Sequence, residues 1–207
     1  MEEDLRERAR RLFQKISQRL DTETDLPSPL RYLCGVDVSY KGSSAYGASI
    51  IYDLSEGKVV ESVCVKAQAK FPYMPGMLYL REAGPMIRSI KRILHPIHVV
   101  FVDANGVLHP QRSGLACLIG LYLDKPTIGV AKSLLCGEIR DLEGVEYIFL
   151  EGEKVGFVLQ RSSGRKLYVS PGHKVSLEAA SRFFAEVLGD QPLPTRLAHD
   201  ASRRCVR

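Results

Sequence analysis

Three strand-like runs near the start of the chain limit its possible folds more than any other feature of the sequence. Only short polar connections separate these runs, which read RYLCGVDVSY (31–40), YGASIIYDL (46–54) and KVVESVCVKA (58–67). Runs of this kind, bounded by turn residues, are typical of β-strands. Because connections this short join antiparallel neighbours, the sequence predicts a three-stranded antiparallel meander.

Buried strands and helices are expected after the meander. The run HVVFVD (98–103) is almost entirely apolar, as in a strand that is covered on both faces. A helix over GLACLIGLYL (114–123), a second apolar strand, PTIGVA (126–131), and alternating segments at 153–160 and 166–170 follow it. This order predicts an α/β fold with a mixed central sheet flanked by helices, as in ribonuclease H-like proteins.

Helices are expected at three further places. Apolar residues recur at helical spacing over residues 1–20, which predicts an amphipathic N-terminal helix that packs on the rest of the chain. A helical segment is expected from about residue 78 to 94, where Gly84 and Pro85 kink it or divide it in two. A last helix is expected over 176–189, with Ser176 at its N-cap.

The size and charge of the chain set further bounds. With 207 residues, 45% of them hydrophobic, the chain can bury one sizeable core, so we expect a single domain over 1–207. A formal charge of +5 and a pI near 9.0 are compatible with a polyanionic partner but do not require one.

The expected location follows from what the sequence lacks. The charged start MEEDLRERARRLF has no apolar signal region, and no run of about 18 apolar residues exists. We expect a soluble, cytoplasmic protein with no membrane partner, and a monomer as the default state.

The chain has five cysteines, an odd number, and they do not show the spacing of a zinc site. Most of them lie in apolar runs. We therefore expect reduced thiols in the core of a cytosolic protein, with neither a disulfide nor a zinc ion.

Two carboxylates lie in these buried runs. Asp103 ends the run 98–103, and Asp37 lies between Val36 and Val38. Two such groups on adjacent strands would repel each other unless a cation lay between them, and oxygen ligands favour Mg²⁺ or Mn²⁺ over zinc. Glu82, on the helix after the meander, could reach the same point. Each acid alone is equally consistent with capping a turn or pairing with an arginine.

Six blocks of sequence, in the same order and at similar intervals, resemble the endonuclease V family over roughly residues 30–200. The resemblance implies a ribonuclease H-like fold and Mg²⁺-dependent cleavage of nucleic acid near a deaminated adenine. The blocks are GVDVSY (35–40), PYMPGMLYLRE (72–82), VDANGVLHPQRSGLA (102–116), GVAKSLLCG (129–137), SPGHKVS (170–176) and PLPTRLAH (192–199).

The resemblance assigns roles to particular residues. It implies that Asp37, Glu82 and Asp103 bind the metal, where Mn²⁺ is expected to substitute for Mg²⁺. It also implies that Lys132 and His199 act at the attacked phosphate and that His109 contacts nucleic acid. Without its motif, Lys132 would be interpreted as an ordinary surface lysine.

The loop at 71–76 is expected to find the lesion. Its two prolines stiffen an exposed turn, as a wedge pushed between bases requires, although Tyr73 could instead be a core aromatic. The wedge residues are Pro72, Tyr73, Met74 and Pro75. The lesion pocket is expected to comprise Gly76, Leu78, Ala104 and Leu115. Further nucleic-acid contacts are expected from Arg81, Arg112, Lys174 and Arg196.

Three positions depart from the family pattern. Ala104 stands where the family often has glycine, Gln111 where it often has arginine, and Leu118 where a histidine is common. These differences affect the lesion pocket and local phosphate contacts, and leave the three acids unchanged.

The resulting hypothesis is a repair endonuclease that cuts the second phosphodiester bond 3′ to deoxyinosine in DNA, leaving 3′-hydroxyl and 5′-phosphate ends. One alternative is an endoribonuclease that cuts inosine-containing single-stranded RNA. Another is a noncatalytic nucleic-acid-binding module, which the three intact acids argue against.

Overall fold

The computed structural model of the chain describes residues 2–69 and 79–207, apart from the side chains of residues 2–6 and 80. Its helices are α1 (Glu2–Ser17), α2 (Tyr79–Ile90), α3 (Leu115–Leu123), α4 (Leu177–Arg182), which continues as a π-helix over Phe183–Leu188, and α5 (Pro194–Cys205). Its strands are β1 (Tyr32–Lys41), β2 (Ser44–Asp53), β3 (Lys58–Gln68), β4 (Val99–Val102), β5 (Thr127–Ala131), β6 (Glu138–Leu142), β7 (Val145–Leu150), β8 (Glu153–Gln160) and β9 (Lys166–His173).

These elements form two compact units. The first unit comprises Met1–Leu26 and Ala104–Asp190, and the second comprises Pro27–Asp103 and Gln191–Arg207. Each unit therefore joins two separate stretches of the chain.

The sheet of the second unit is the expected meander with one parallel strand added. Its order is β3-β2-β1-β4, in which β1 pairs antiparallel with β2, β2 pairs antiparallel with β3, and β4 runs parallel to β1. All four residues of β4 are fully buried, as its apolar sequence predicts. The prediction of a mixed sheet is confirmed within this unit.

Helix α2 packs on this meander and is not divided. It runs through Pro85 from Tyr79 to Ile90 as a single helix, so of the two predicted outcomes, a kink or a division, the division is wrong. The backbone of Pro85 lies directly against Gly47 of β2, where a Cβ atom would overlap the Pro85 carbonyl. The glycine therefore allows the backbone of α2 to lie close to β2.

In the first unit, α1 and α3 pack together, and Ala9, Phe13 and Ile16 of α1 are buried. The predicted N-terminal amphipathic helix is confirmed. The Ser176 hydroxyl accepts a hydrogen bond from the Ala179 amide at 3.0 Å, which confirms the predicted N-cap of α4.

An antiparallel sheet in the order β5-β9-β8-β7-β6 completes the first unit. The sequence pattern missed the hairpin of β6 and β7. Every residue of β6 is exposed, so this strand has no buried face to produce an alternating pattern.

The cysteine prediction is wrong for one pair. Cys64 of β3 and Cys205 at the end of α5 form a disulfide, whereas Cys34 and Cys117 are free and buried, and Cys136 is free and partly buried. The two partners are 141 positions apart, and only the packing of α5 in the second unit brings them together. Cysteine spacing could not reveal this pair, and the inference of a reducing compartment loses its support.

Within residues 2–69 and 79–207, the structure contains no helix whose length and apolar character would let it span a bilayer.

Candidate metal centre

Two carboxylates and one imidazole meet in the second unit. Asp37 lies in β1, Asp103 directly follows β4, and His199 lies in α5. One potential ligand atom from each of the three lies within 4.8 Å of the others. Residues far apart in the sequence therefore converge on one point.

The parallel pairing of β1 and β4 brings the two acids together. The register pairs Val36 with Val102, and the Asp103 amide donates to the Val36 carbonyl at 3.3 Å. Asp37, the next residue on β1, and Asp103, the first residue after β4, are therefore neighbours. Asp37 is only 7% exposed, so its charge is largely removed from water.

A glycine lets the histidine approach these acids. The first turn of α5 lies directly on β1, where a Cβ atom on Gly35 would overlap the Pro194 carbonyl. Asp37 lies two residues beyond Gly35 on the strand, and His199 lies five residues beyond Pro194 on the helix. Close backbone contact between β1 and α5 thus sets the separation of the two side chains.

Two side chains of α5 form hydrogen bonds with Asp37. His199 Nδ1 lies 3.1 Å from Asp37 Oδ2, and the Ser202 hydroxyl donates to the same oxygen at 2.6 Å. Because an ionised carboxylate only accepts, Nδ1 carries the proton of this bond. Within the described ranges no arginine pairs with Asp37, so arginine neutralisation does not explain this buried acid.

Glu82 is near this group but is not one of the three. The Tyr40 hydroxyl donates to its Oε1 at 3.2 Å, and the Arg81 guanidinium lies 4.3 Å from the centre of the Tyr40 ring. Burial, the largest cause, together with the charges of Asp37 and Asp103, raises the pKa of Glu82 to about 7, although the Tyr40 hydrogen bond opposes this rise. A cation beside the two aspartates would favour the ionised form of Glu82.

The donor set fits a hard divalent cation. Two carboxylates and an imidazole suit Mg²⁺ or Mn²⁺, and Mn²⁺ accepts the nitrogen ligand more readily. The described residues contribute no cysteine to this group, as a structural zinc site often would. An imidazole is therefore a possible third ligand in the structure, whereas the sequence analysis predicted three carboxylates as the metal ligands.

Two of the other predicted catalytic and nucleic-acid residues, Lys132 and His109, belong to the first unit. Lys132 is exposed and directly follows β5 in the first unit. His109 is 6% exposed, its ring packs 4.9 Å from that of Phe13, and burial lowers its pKa to about 4. A nucleic-acid contact by His109 stays a prediction and would involve an uncharged ring.

Two basic side chains that are predicted to contact nucleic acid form ion pairs within the protein. Arg112 Nη1 lies 3.1 Å from Glu153, and Lys174 Nζ lies 2.6 Å from Asp124. Ala104 and Leu115 of the predicted lesion pocket are buried in the first unit. The wedge residues and two pocket residues lie outside the described residues: Pro72, Tyr73, Met74, Pro75, Gly76 and Leu78.

Sequence reasoning missed three side chains of the site. Ser202 contacts Asp37, Ser39 contacts Ser202, and Tyr40 contacts Glu82. Spacing could have identified Ser202, which follows His199 by three positions, but only once a helix had been predicted there.

A family model described as Endonuclease V matches residues 14–200. The Endonuclease V of Thermofilum pendens is 39% identical over 198 residues, which cover 93% of this chain and 85% of that protein.

Two solved structures have the same fold. The Endonuclease V from Streptomyces avermitilis superposes with a TM-score of 0.86 at 28% identity, covering 97% of this chain and 92% of that one. The Endonuclease V of Ciona intestinalis, in complex with a 24mer DNA containing an inosine followed by a ribo-adenosine, gives a TM-score of 0.82 at 22% identity over 98% of each chain. The expected ribonuclease H-like fold is confirmed.

Proposed function

Because this chain belongs to the endonuclease V family, we propose that it is a repair endonuclease for deoxyinosine in DNA. It hydrolyses the second phosphodiester bond 3′ to the lesion and leaves 3′-hydroxyl and 5′-phosphate ends. Mg²⁺ is the proposed cofactor, and Mn²⁺ substitutes for it. The main support for the proposal is that potential ligand atoms of Asp37, Asp103 and His199 lie within 4.8 Å of one another.

Each residue of the site has a proposed part. Asp37 and Asp103 hold the divalent ion, and Glu82 completes its ligand shell. When bound, such an ion neutralises charge on the phosphate and lowers the pKa of water. His199 orients groups or transfers a proton at the scissile bond. Lys132 contributes a point charge at a nonbridging phosphate oxygen.

The inosine preference is supported by the inosine-containing DNA bound to the Ciona intestinalis relative. Opening a base step costs least where a base is weakly paired, which favours extrusion of hypoxanthine. We propose that the wedge 72–75 opens the step, that Gly76, Leu78, Ala104 and Leu115 receive the base, and that Arg81 and His109 contact the strand.

A second candidate is cleavage of inosine-containing RNA. The DNA bound to the Ciona intestinalis relative carries a ribo-adenosine after its inosine, so that protein accepts a 2′-hydroxyl next to the lesion. A 2′-hydroxyl is the group by which a protein distinguishes RNA from DNA. A single-stranded RNA substrate therefore belongs in the same assay.

The proposal is tested by incubating the full chain with Mg²⁺ and a duplex that contains one deoxyinosine. We expect a single nick at the second bond 3′ to the lesion and no nick in the undamaged duplex. The matching single-stranded RNA with one inosine is run in parallel and separates the two candidate substrates. Absence of cleavage of both substrates across pH and with either ion would overturn the assignment and favour a noncatalytic binding module.

Exposed arginines on α5 and just after it provide a further test of nucleic-acid binding. Arg203, Arg204 and Arg207 line, with Asp200, an open cavity of about 370 Å³ on the helix that carries His199. We expect Arg203→Gln combined with Arg207→Gln to weaken binding of the inosine duplex. The slope of log affinity against log salt should fall by up to about two, because each phosphate contact releases about one counterion.

The matched control is Arg88→Gln combined with Arg92→Gln. These arginines are also exposed and four positions apart, with Arg88 on α2 and Arg92 just after it. The control should leave the salt slope unchanged. Equal slopes for the two double variants, measured by fluorescence anisotropy, would contradict a phosphate contact at α5.

The cytoplasmic location and the monomeric state stay predictions from the sequence. The charge of +5 supports a polyanionic substrate without identifying it.

A further inference from the structure

Two linked hydroxyl groups, one half-buried and one fully buried, lead to the Asp37 carboxylate. Ser202 of α5 is 0% exposed, and its Oγ donates to Asp37 Oδ2 at 2.6 Å. Ser39 follows Asp37 by two positions on β1, so both side chains lie on the same face of the strand. The Ser39 Oγ lies 2.7 Å from the Ser202 Oγ. The two serines connect β1 and α5 beside the metal centre.

The number of available hydroxyl protons determines which group donates in each of these hydrogen bonds. Ser202 has one hydroxyl proton and two acceptors, Asp37 Oδ2 at 2.6 Å and the His199 carbonyl at 2.9 Å. The ionised carboxylate is the stronger acceptor, and 2.6 Å is typical of a hydroxyl that donates to an anion. Because the Ser202 proton is then committed, Ser39 supplies the proton between the two hydroxyls. Ser39 therefore donates to Ser202, and Ser202 donates to Asp37.

These contacts distinguish the two oxygens of Asp37. Oδ2 accepts from both Ser202 Oγ and His199 Nδ1, which fills its two lone-pair positions. Among the residues that the structure describes, none donates to Oδ1. We propose that Ser202 is a positioning residue: its hydroxyl, oriented by Ser39, fixes the Asp37 carboxylate so that Oδ1 is the oxygen offered to the cation. This proposal rests on the proposed metal centre.

Loss of the Ser202 hydroxyl would leave Oδ2 with His199 as its remaining donor. The carboxylate could then rotate about its bond to Cβ and present either oxygen. Partners that orient a metal ligand typically change metal affinity by about ten- to a hundredfold. Loss of the Ser202 hydroxyl should therefore weaken metal binding without abolishing it, because the ligand atoms themselves remain.

The test is a calorimetric titration of the full chain with Mn²⁺ alone, without nucleic acid. We expect Ser202→Ala to raise the dissociation constant of Mn²⁺ by about tenfold. Ser39→Ala should raise it less, because the Ser202 proton can then divide between Asp37 and the His199 carbonyl. At saturating Mn²⁺ the cleavage rate of Ser202→Ala should return close to that of the wild type.

Ser89→Ala is a matched control. Ser89 is also 0% exposed on a helix, donates to the carbonyl of Met86 three residues earlier at 2.8 Å, and lies 2.7 Å from the hydroxyl of Ser49 on a neighbouring strand. This pair reproduces the Ser202 and Ser39 contacts without a carboxylate. Ser89→Ala should cost similar stability and leave Mn²⁺ binding unchanged.

Three results would overturn the proposal. If the wild-type protein binds Mn²⁺ and Ser202→Ala binds it equally well, Ser202 does not position Asp37, and the metal centre stands. If Ser89→Ala weakens Mn²⁺ binding as much as Ser202→Ala, the effect is one of general packing. Failure of the wild-type protein to bind Mn²⁺ would overturn both the metal centre and the role of Ser202.

Discussion

Replacing Asp37 with asparagine should lower the rate of metal-dependent cleavage at least about a thousandfold. The substitution keeps the size of the side chain and removes the charge that is proposed to hold the cation beside Asp103. A bound divalent ion contributes several kcal/mol of transition-state stabilisation, and each 1.4 kcal/mol corresponds to about tenfold in rate. The measurement is the single-turnover cleavage rate of the inosine duplex at saturating enzyme. Binding of the duplex should be partly preserved, because the nucleic-acid contacts remain.

The control for this variant is Glu56→Gln, which removes an exposed carboxylate between β2 and β3. It should cleave at the wild-type rate. If Asp37→Asn kept a tenth or more of the wild-type rate, Asp37 would not be an essential metal ligand.

Replacing Gly35 with alanine should both destabilise the protein and impair cleavage. The added Cβ would overlap the backbone carbonyl of Pro194, which cannot turn aside as a flexible side chain can. Helix α5 must therefore move away from β1 and loosen the packing of buried Ala198 and Ala201. Overpacking of this kind costs about 3 kcal/mol, which lowers the melting temperature of a chain of this size by about 6 to 12 °C.

The movement of α5 would also separate His199 from Asp37, so cleavage should fall even at temperatures where the variant is folded. Gly84→Ala in α2 is the matched control, because its Cβ would meet only the end of the Arg88 side chain at 3.9 Å. Alanine is favoured over glycine inside a helix by about 1 kcal/mol, so this variant should be as stable as the wild type or more so. A melting temperature for Gly35→Ala equal to that of Gly84→Ala would contradict the close contact.

Much of the second unit could be predicted because local sequence determines it. Short polar connections define the meander, and a carboxylate within an apolar run identifies both Asp37 and Asp103. A buried charge is costly unless a partner compensates it, so these positions are conspicuous without any knowledge of the fold.

The remainder of the site depends on contacts between distant parts of the chain. His199 was found through the resemblance alone, because nothing in its neighbourhood predicts that α5 packs beside β1. Glu82 was predicted as a metal ligand, but the local sequence could not show that Tyr40 would bind it. The pair Cys64 and Cys205 is invisible for the same reason.

Helix α5 is fastened at both ends, and this affects how it opens to solvent. Its first turn rests on the backbone of β1, its last turn is linked through Cys205 to β3, and the Lys41 ammonium donates to the carbonyl of Val206 just beyond it. A helix that is held only by packing can open locally, which exposes its amides to exchange. The amides around His199 and Ser202 should therefore exchange only when a larger part of the second unit opens, so the geometry of the site persists through small local fluctuations of α5.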